Sequence, residues 1–193
     1  MKKVIWIVFG LVLLSASTVM AQYRDGAYDE DDYAYYNANI TWGIGLGGAP
    51  LGNGFGTNYS AGYGLDGNIG LNINRSVAVL LAADSYLFNT TNPNVYSGEI
   101  NVMPSIRLTL DSPGVRPYVI AGLGLNENIG YFVDRFGNVF SNSTTNFVVG
   151  GGLGIAFRVA HRLDIYIQAK YEDVLASGGN FSYFPIDIGV QFN

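Results

Sequence analysis

Apolar and polar positions alternate with a period of two along most of this chain. The segment Tyr183–Phe192 shows it most plainly. Phe184, Ile186, Ile188, Val190 and Phe192 fall on one face, and Tyr183, Asp187, Gly189 and Gln191 on the other. Such alternation marks a strand whose two sides meet different surroundings. The same pattern predicts strands over Asn39–Gly48, Tyr59–Ile73, Ser76–Phe88, Val95–Leu110, Pro117–Asn126, Thr145–Val159 and Leu163–Glu172. In Val95–Leu110, for example, Tyr96, Ile100, Val102, Ile106 and Leu108 oppose Ser97, Glu99, Asn101, Ser105 and Arg107.

The connections alternate in length. Short turns are expected at Asn74–Ser76, Asp111–Arg116 and Ala160–Arg162, and longer loops at Ala49–Asn58, Thr90–Asn94, Glu127–Thr144 and Asp173–Ser182. An even number of strands with one apolar face each, joined in this way, predicts an all-β fold: an eight-stranded antiparallel transmembrane β-barrel. Short turns then face the periplasm and long loops face outward, which puts both termini in the periplasm. Aromatic residues near the strand ends fit interfacial girdles. Tyr59, Tyr96, Phe147, Tyr171 and Phe184 are expected in the outer belt, and Phe157 and Phe192 in the inner one.

The first 21 residues read as a cleaved signal peptide. Lys2 and Lys3 precede the apolar run Val4–Leu14, and Val19-Met20-Ala21 forms the cleavage site. Residues 22–37 follow as an acidic, Tyr-rich periplasmic tail without periodicity, and residues 38–193 form the barrel domain. Cleavage takes Lys2 and Lys3 from 10 basic residues set against 15 acidic ones, so the net charge falls from −5 to about −7. That balance argues against nucleic acid as a partner. With no cysteine in the chain, disulfides and a lipoprotein anchor are excluded. The expected location is the outer membrane of a diderm bacterium.

The signal peptide, "RPYVIAGLGL" at Arg116–Leu125, "LDIYIQAKYE" at Leu163–Glu172 and "FPIDIGVQF" at Phe184–Phe192 resemble the eight-stranded outer-membrane β-barrel family of the OmpA transmembrane domain and OmpX. The resemblance covers residues 38–193. It implies outer-membrane lipid as surroundings, and the barrel-assembly machinery as a partner that reads a terminal aromatic. Here Phe192 is followed by Asn193.

Two G-x-G-x-x-G matches, Gly43–Gly48 and Gly62–Gly67, lie inside alternating strands rather than between a strand and a helix. They therefore predict small inward residues and not a nucleotide site. His161 is the only histidine and sits in a short turn with no serine beside it. No catalytic residue, metal site or cofactor is expected.

The inward charges are the main lead. If Ile73 pairs with Val77 and Phe88 with Val95, Asp66 faces Asp84 and Asp84 faces Glu99. Like charges directly opposite destabilise a sheet, so a compensating group is required. Lys170 points inward from the far wall and is expected to meet Asp84 or Glu99, with Asp187 or Glu172 as other partners. Near the periplasmic end Arg107 points inward, and Arg158 is expected opposite Asp164. These residues predict an interior charged and polar network, which fills a barrel of this width. The function expected is a structural or surface-contact role, with contact through Tyr131, Phe132, Phe136 and Phe140 of the Glu127–Thr144 loop and an extracellular partner. The alternatives are a small gated porin-like ion channel, with Asp66, Asp84, Glu99, Lys170 and Asp187 as its gate, and a lipid-modifying enzyme.

Overall fold

A computed structural model describes residues 39–54, 59–92, 94–110, 114–133, 136, 138–160 and 162–193. The predicted signal peptide, the acidic tail and His161 lie outside the described residues. Nine strands follow in order: β1 (Asn39–Ala49), β2 (Tyr59–Asn72), β3 (Val77–Thr90), β4 (Val95–Thr109), β5 (Val115–Val133), β6 (Val139–Ala160), β7 (Leu163–Leu175), β8 (Phe181–Tyr183) and β9 (Ile186–Phe192).

All pairings are antiparallel, and each strand from β1 to β7 pairs with the next. β9 pairs with both β7 and β1 and so closes the ring. β8 and β9 form one wall position. Glu172 faces Tyr183 and Ala169 faces Ile186, so the register against β7 is the same on both sides of the break. The break falls at Phe184–Pro185, where proline has no N–H to donate. Its carbonyl still accepts from the Lys170 amide (2.8 Å). The fold is therefore an eight-stranded antiparallel barrel.

Walking across paired residues from Asn39 leads through Asn72, Ala78, Arg107, Ile120, Gly152 and Lys170. The path passes Pro185 and regains β1 about ten residues above its start. That stagger tilts the strands and leaves a lumen that side chains can fill.

The outer face is apolar. Leu46, Leu123, Phe147 and Leu153 are each more than 60 % exposed, and Ile44, Leu65, Ile106 and Ile188 about half exposed. A continuous apolar exterior of this extent suits lipid and not water. Tyr171 packs on Phe184 at one rim (5.0 Å between ring centroids) and Trp42 stacks on Phe192 at the other (4.2 Å). Tyr59 departs from the expected belt. A register shift between Tyr59 and Gly62 changes its side, and it packs against the inner apolar cluster.

Two further expectations are corrected. The Glu127–Thr144 loop is mostly strand: β5 and β6 stay paired from Glu127↔Thr145 up to Val133↔Val139. The pairing of β3 with β4 is two residues away from the expected one, with Phe88 opposite Ser97 and Asn89 opposite Tyr96. The cause is a tighter turn. Thr90 Oγ1 donates toward the Asn92 and Val95 carbonyls (2.8 and 3.0 Å), which carries β3 on to Thr90.

Candidate functional site: the barrel interior

Large inward side chains fit because glycine stands opposite them. Gly154 faces Tyr118, Gly64 faces Tyr86, Gly62 faces Phe88 and Gly189 faces Tyr166. A Cβ on Gly154 would lie 2.1 Å from Tyr118 Cζ, and one on Gly189 2.5 Å from Tyr166 Cζ. The glycine-rich strands thus supply the volume that four inward aromatics occupy.

Lys170 lies at the centre of the lumen and is 7 % exposed. Its Nζ is 2.9 Å from Asp84 Oδ2, 3.1 Å from Glu172 Oε1, 3.3 Å from Asp66 Oδ2 and 4.0 Å from Asp187 Oδ2. An ammonium has three protons to donate, and three carboxylates stand within hydrogen-bonding distance. Neutral donors hold the remaining oxygens. Tyr166 Oη donates to Asp66 Oδ1 and Tyr86 Oη to Asp187 Oδ1, both at 2.6 Å. Asn101 Nδ2 donates to Asp84 Oδ1 (2.8 Å) and Glu172 Oε2 (2.5 Å). Asp66 does face Asp84 across β2 and β3, and Lys170 binds both.

Glu99 is brought inside but not to Lys170. With the β3–β4 register moved by two, Glu99 faces Tyr86 and neutral Asn101 faces Asp84. The fully buried Glu99 carboxylate is held by amides instead: Asn126 Nδ2 donates to Oε2 (2.8 Å) and Asn128 Nδ2 to Oε1. Asn126 Nδ2 also approaches Asn101 Oδ1 (2.8 Å), which joins this group to the lysine cluster. The expected acidic row of three is thus two carboxylates and an amide, with the third carboxylate displaced along β4.

Toward the short-turn end, Arg107 Nη1 donates to Gln191 Oε1, and its guanidinium lies 5.6 Å over the Tyr118 ring. Arg158 faces Asp164 and bonds it (Nε–Oδ1 3.0 Å). Arg116 and Asn193 also bind Asp164. Arg116 escapes a reading in which the strand begins at Pro117; following the parity of Asn126, Gly124 and Gly122 backward places Tyr118 and Arg116 inward too.

At the long-loop end the interior is apolar. Phe88, Tyr183, Tyr86, Met103, Val148, Val174 and Ala49 are buried together, with Tyr183 edge-on to Phe88 (5.4 Å) and Tyr86 (5.9 Å). The polar character of the other inward positions does not predict this plug. Its signal is the apolar residue at the inward parity of β3 (Tyr86, Phe88) and β6 (Val148).

Outside the lumen, β5 and β6 carry Tyr131, Phe132 and Phe140, with Phe136 between the strands and 75 % exposed. The Phe132 and Phe140 rings lie 6.4 Å apart. Tyr131, Phe132 and Phe140 are therefore strand residues rather than loop residues.

No family model and no curated protein sequence matches the chain. Solved structures do. Neisserial surface protein A is 18 % identical with a TM-score of 0.64, over 81 % of this chain and 98 % of that one. Ail, the attachment invasion locus protein of Yersinia pestis, solved with the heparin analogue sucrose octasulfate, is 17 % identical with a TM-score of 0.57, over 80 % and 99 %. A major outer membrane protein of Thermus thermophilus is 10 % identical with a TM-score of 0.58, over 80 % and 99 %. At these identities the likeness shows the fold, a transmembrane β-barrel.

Proposed function

We propose that this chain, with the fold of the small outer-membrane barrels, is an integral outer-membrane protein with a structural or surface-contact role and no enzymatic activity. Its short turns and both barrel termini face the periplasm, and its long-loop end faces outward. The observation that carries the reading is the doubly closed lumen. An aromatic and aliphatic plug fills the long-loop end, and the Lys170 cluster fills the middle. A gate in which Lys170 exchanged carboxylate partners would open nothing, because Lys170 already holds three of them and the plug lies beyond.

The surface-contact role rests on the β5–β6 hairpin. A strand crosses the hydrocarbon with about 9–11 residues, whereas β5 has 19 and β6 has 22. The surplus raises a paired, aromatic-bearing ridge roughly 15–20 Å beyond the membrane. Attachment is also what the name of Ail describes.

Two measurements test this. Refolded mature protein, with folding verified by a heated-versus-unheated gel shift, is expected to give no discrete steps in a planar bilayer. Steps altered by Glu99→Gln or Lys170→Met would make it a small pore instead. Residues 129–143 can be replaced by a short turn, because Asn128 and Thr144 are paired. The shortened barrel is expected to fold and to lose cell adhesion, while unchanged adhesion would leave only the structural role.

A further inference from the structure

The short-turn end of the barrel opens into a polar vestibule of about 450 Å³. Arg75, Arg107, Arg116, Arg158 and Arg162 line it, with Asp164 as the one carboxylate side chain among its described lining residues. These are all the arginines among the described residues, and half of the 10 basic residues of a chain with net charge −5. Asp164 offsets part of that charge by binding Arg116 and Arg158. Five guanidiniums against one carboxylate side chain leave a positive excess among the described lining residues, and guanidinium groups repel one another.

Arg75 and Arg162 belong to turns and are exposed. Arg107 spends one N–H on Gln191, and its buried Nε has no hydrogen-bond partner. Arg107, Tyr118 and Gln191 form the inner end of the vestibule, and the Lys170 cluster lies deeper, so a ligand enters from the short-turn side.

We propose that this vestibule is a binding site for a phosphoryl anion bearing at least two negative charges, of the size of a diphosphate. Several convergent guanidinium forks match phosphate oxygens pairwise, and a multivalent anion neutralises the excess charge that Asp164 leaves. The phosphoryl group belongs either to a soluble phosphate ester of the adjoining aqueous compartment or to a lipid headgroup at the same level of the membrane.

The test is calorimetric titration of the refolded mature protein, in uncharged detergent, with inorganic pyrophosphate. One-to-one binding is expected, weakening as salt is raised. Arg75→Gln/Arg162→Gln changes only exposed turn residues, so the barrel keeps its gel shift while affinity falls about tenfold or more. Arg107→Gln is expected to do the same from the inner end. A second arm reconstitutes the protein with cardiolipin, a lipid with two phosphodiesters, and reads retained lipid by native mass spectrometry. Cardiolipin retained by the wild type and lost in the double variant, without pyrophosphate binding, assigns the site to a headgroup. The proposal is overturned if neither ligand binds at millimolar concentration, or if both variants bind as the wild type does.

Discussion

Lys170→Met is expected to destabilise the barrel by about 3–5 kcal/mol, the usual cost of removing one partner from a buried charge cluster. The substitution keeps side-chain length and removes the only cation in contact with Asp66, Asp84 and Glu172 among the described residues. Asp66 and Asp84 would then face each other across β2 and β3 without a counter-charge. Water cannot replace the ammonium freely, because tyrosine and amide donors already surround the same carboxylates. The check is a urea unfolding series in detergent or lipid, read by the gel shift. Adding Asp84→Asn and Glu172→Gln to Lys170→Met should recover most of the loss, since uncharged isosteres need no cation. A Lys170→Met midpoint equal to the wild type would show that the cluster contributes nothing to folding.

The second large effect comes from space rather than charge. Gly154→Val should cost several kcal/mol or prevent refolding, well beyond the ~1–3 kcal/mol of ordinary overpacking. A Cβ there would lie 2.1, 2.4 and 2.6 Å from three Tyr118 ring and hydroxyl atoms, and the buried Tyr118 has little room to retreat. Gly151→Val is the matched control, three residues away on the opposite face, where the nearest atom to an added Cβ is 3.4 Å off. Pairing Gly154→Val with Tyr118→Ala should restore refolding, and the double-mutant cycle should return a coupling of about 1–3 kcal/mol. Additive effects would mean that glycine at 154 serves the backbone and not its neighbour.

The faces of the strands were legible in the sequence, because lipid on one side and a polar lumen on the other force a strong contrast at every second residue. The Arg158–Asp164 pair followed from the same parity and a short turn. The β3–β4 register was not legible, because a slip of two leaves every side chain on its own face. In the turn the Thr90 hydroxyl, the Asn92 side chain and the Val95 amide hold the observed pairing, which brings Asn101 rather than Glu99 to Asp84. Beyond the membrane the contrast itself fades. Ser141, Asn142, Ser143 and Thr144 are polar on both faces, so a paired strand there resembles a loop.

Closure between β1 and β9 carries a consequence for how the barrel forms. Trp42 pairs with Phe192 across nearly the whole length of the domain, a contact of high sequence separation that costs loop-closure entropy before it returns any energy. Until the final strand is available, the growing sheet has two unsatisfied edges, each open to pairing with another chain. Assembly should therefore be slow and all-or-none. A C-terminal truncation ahead of Ile186 should yield aggregate and no smaller barrel.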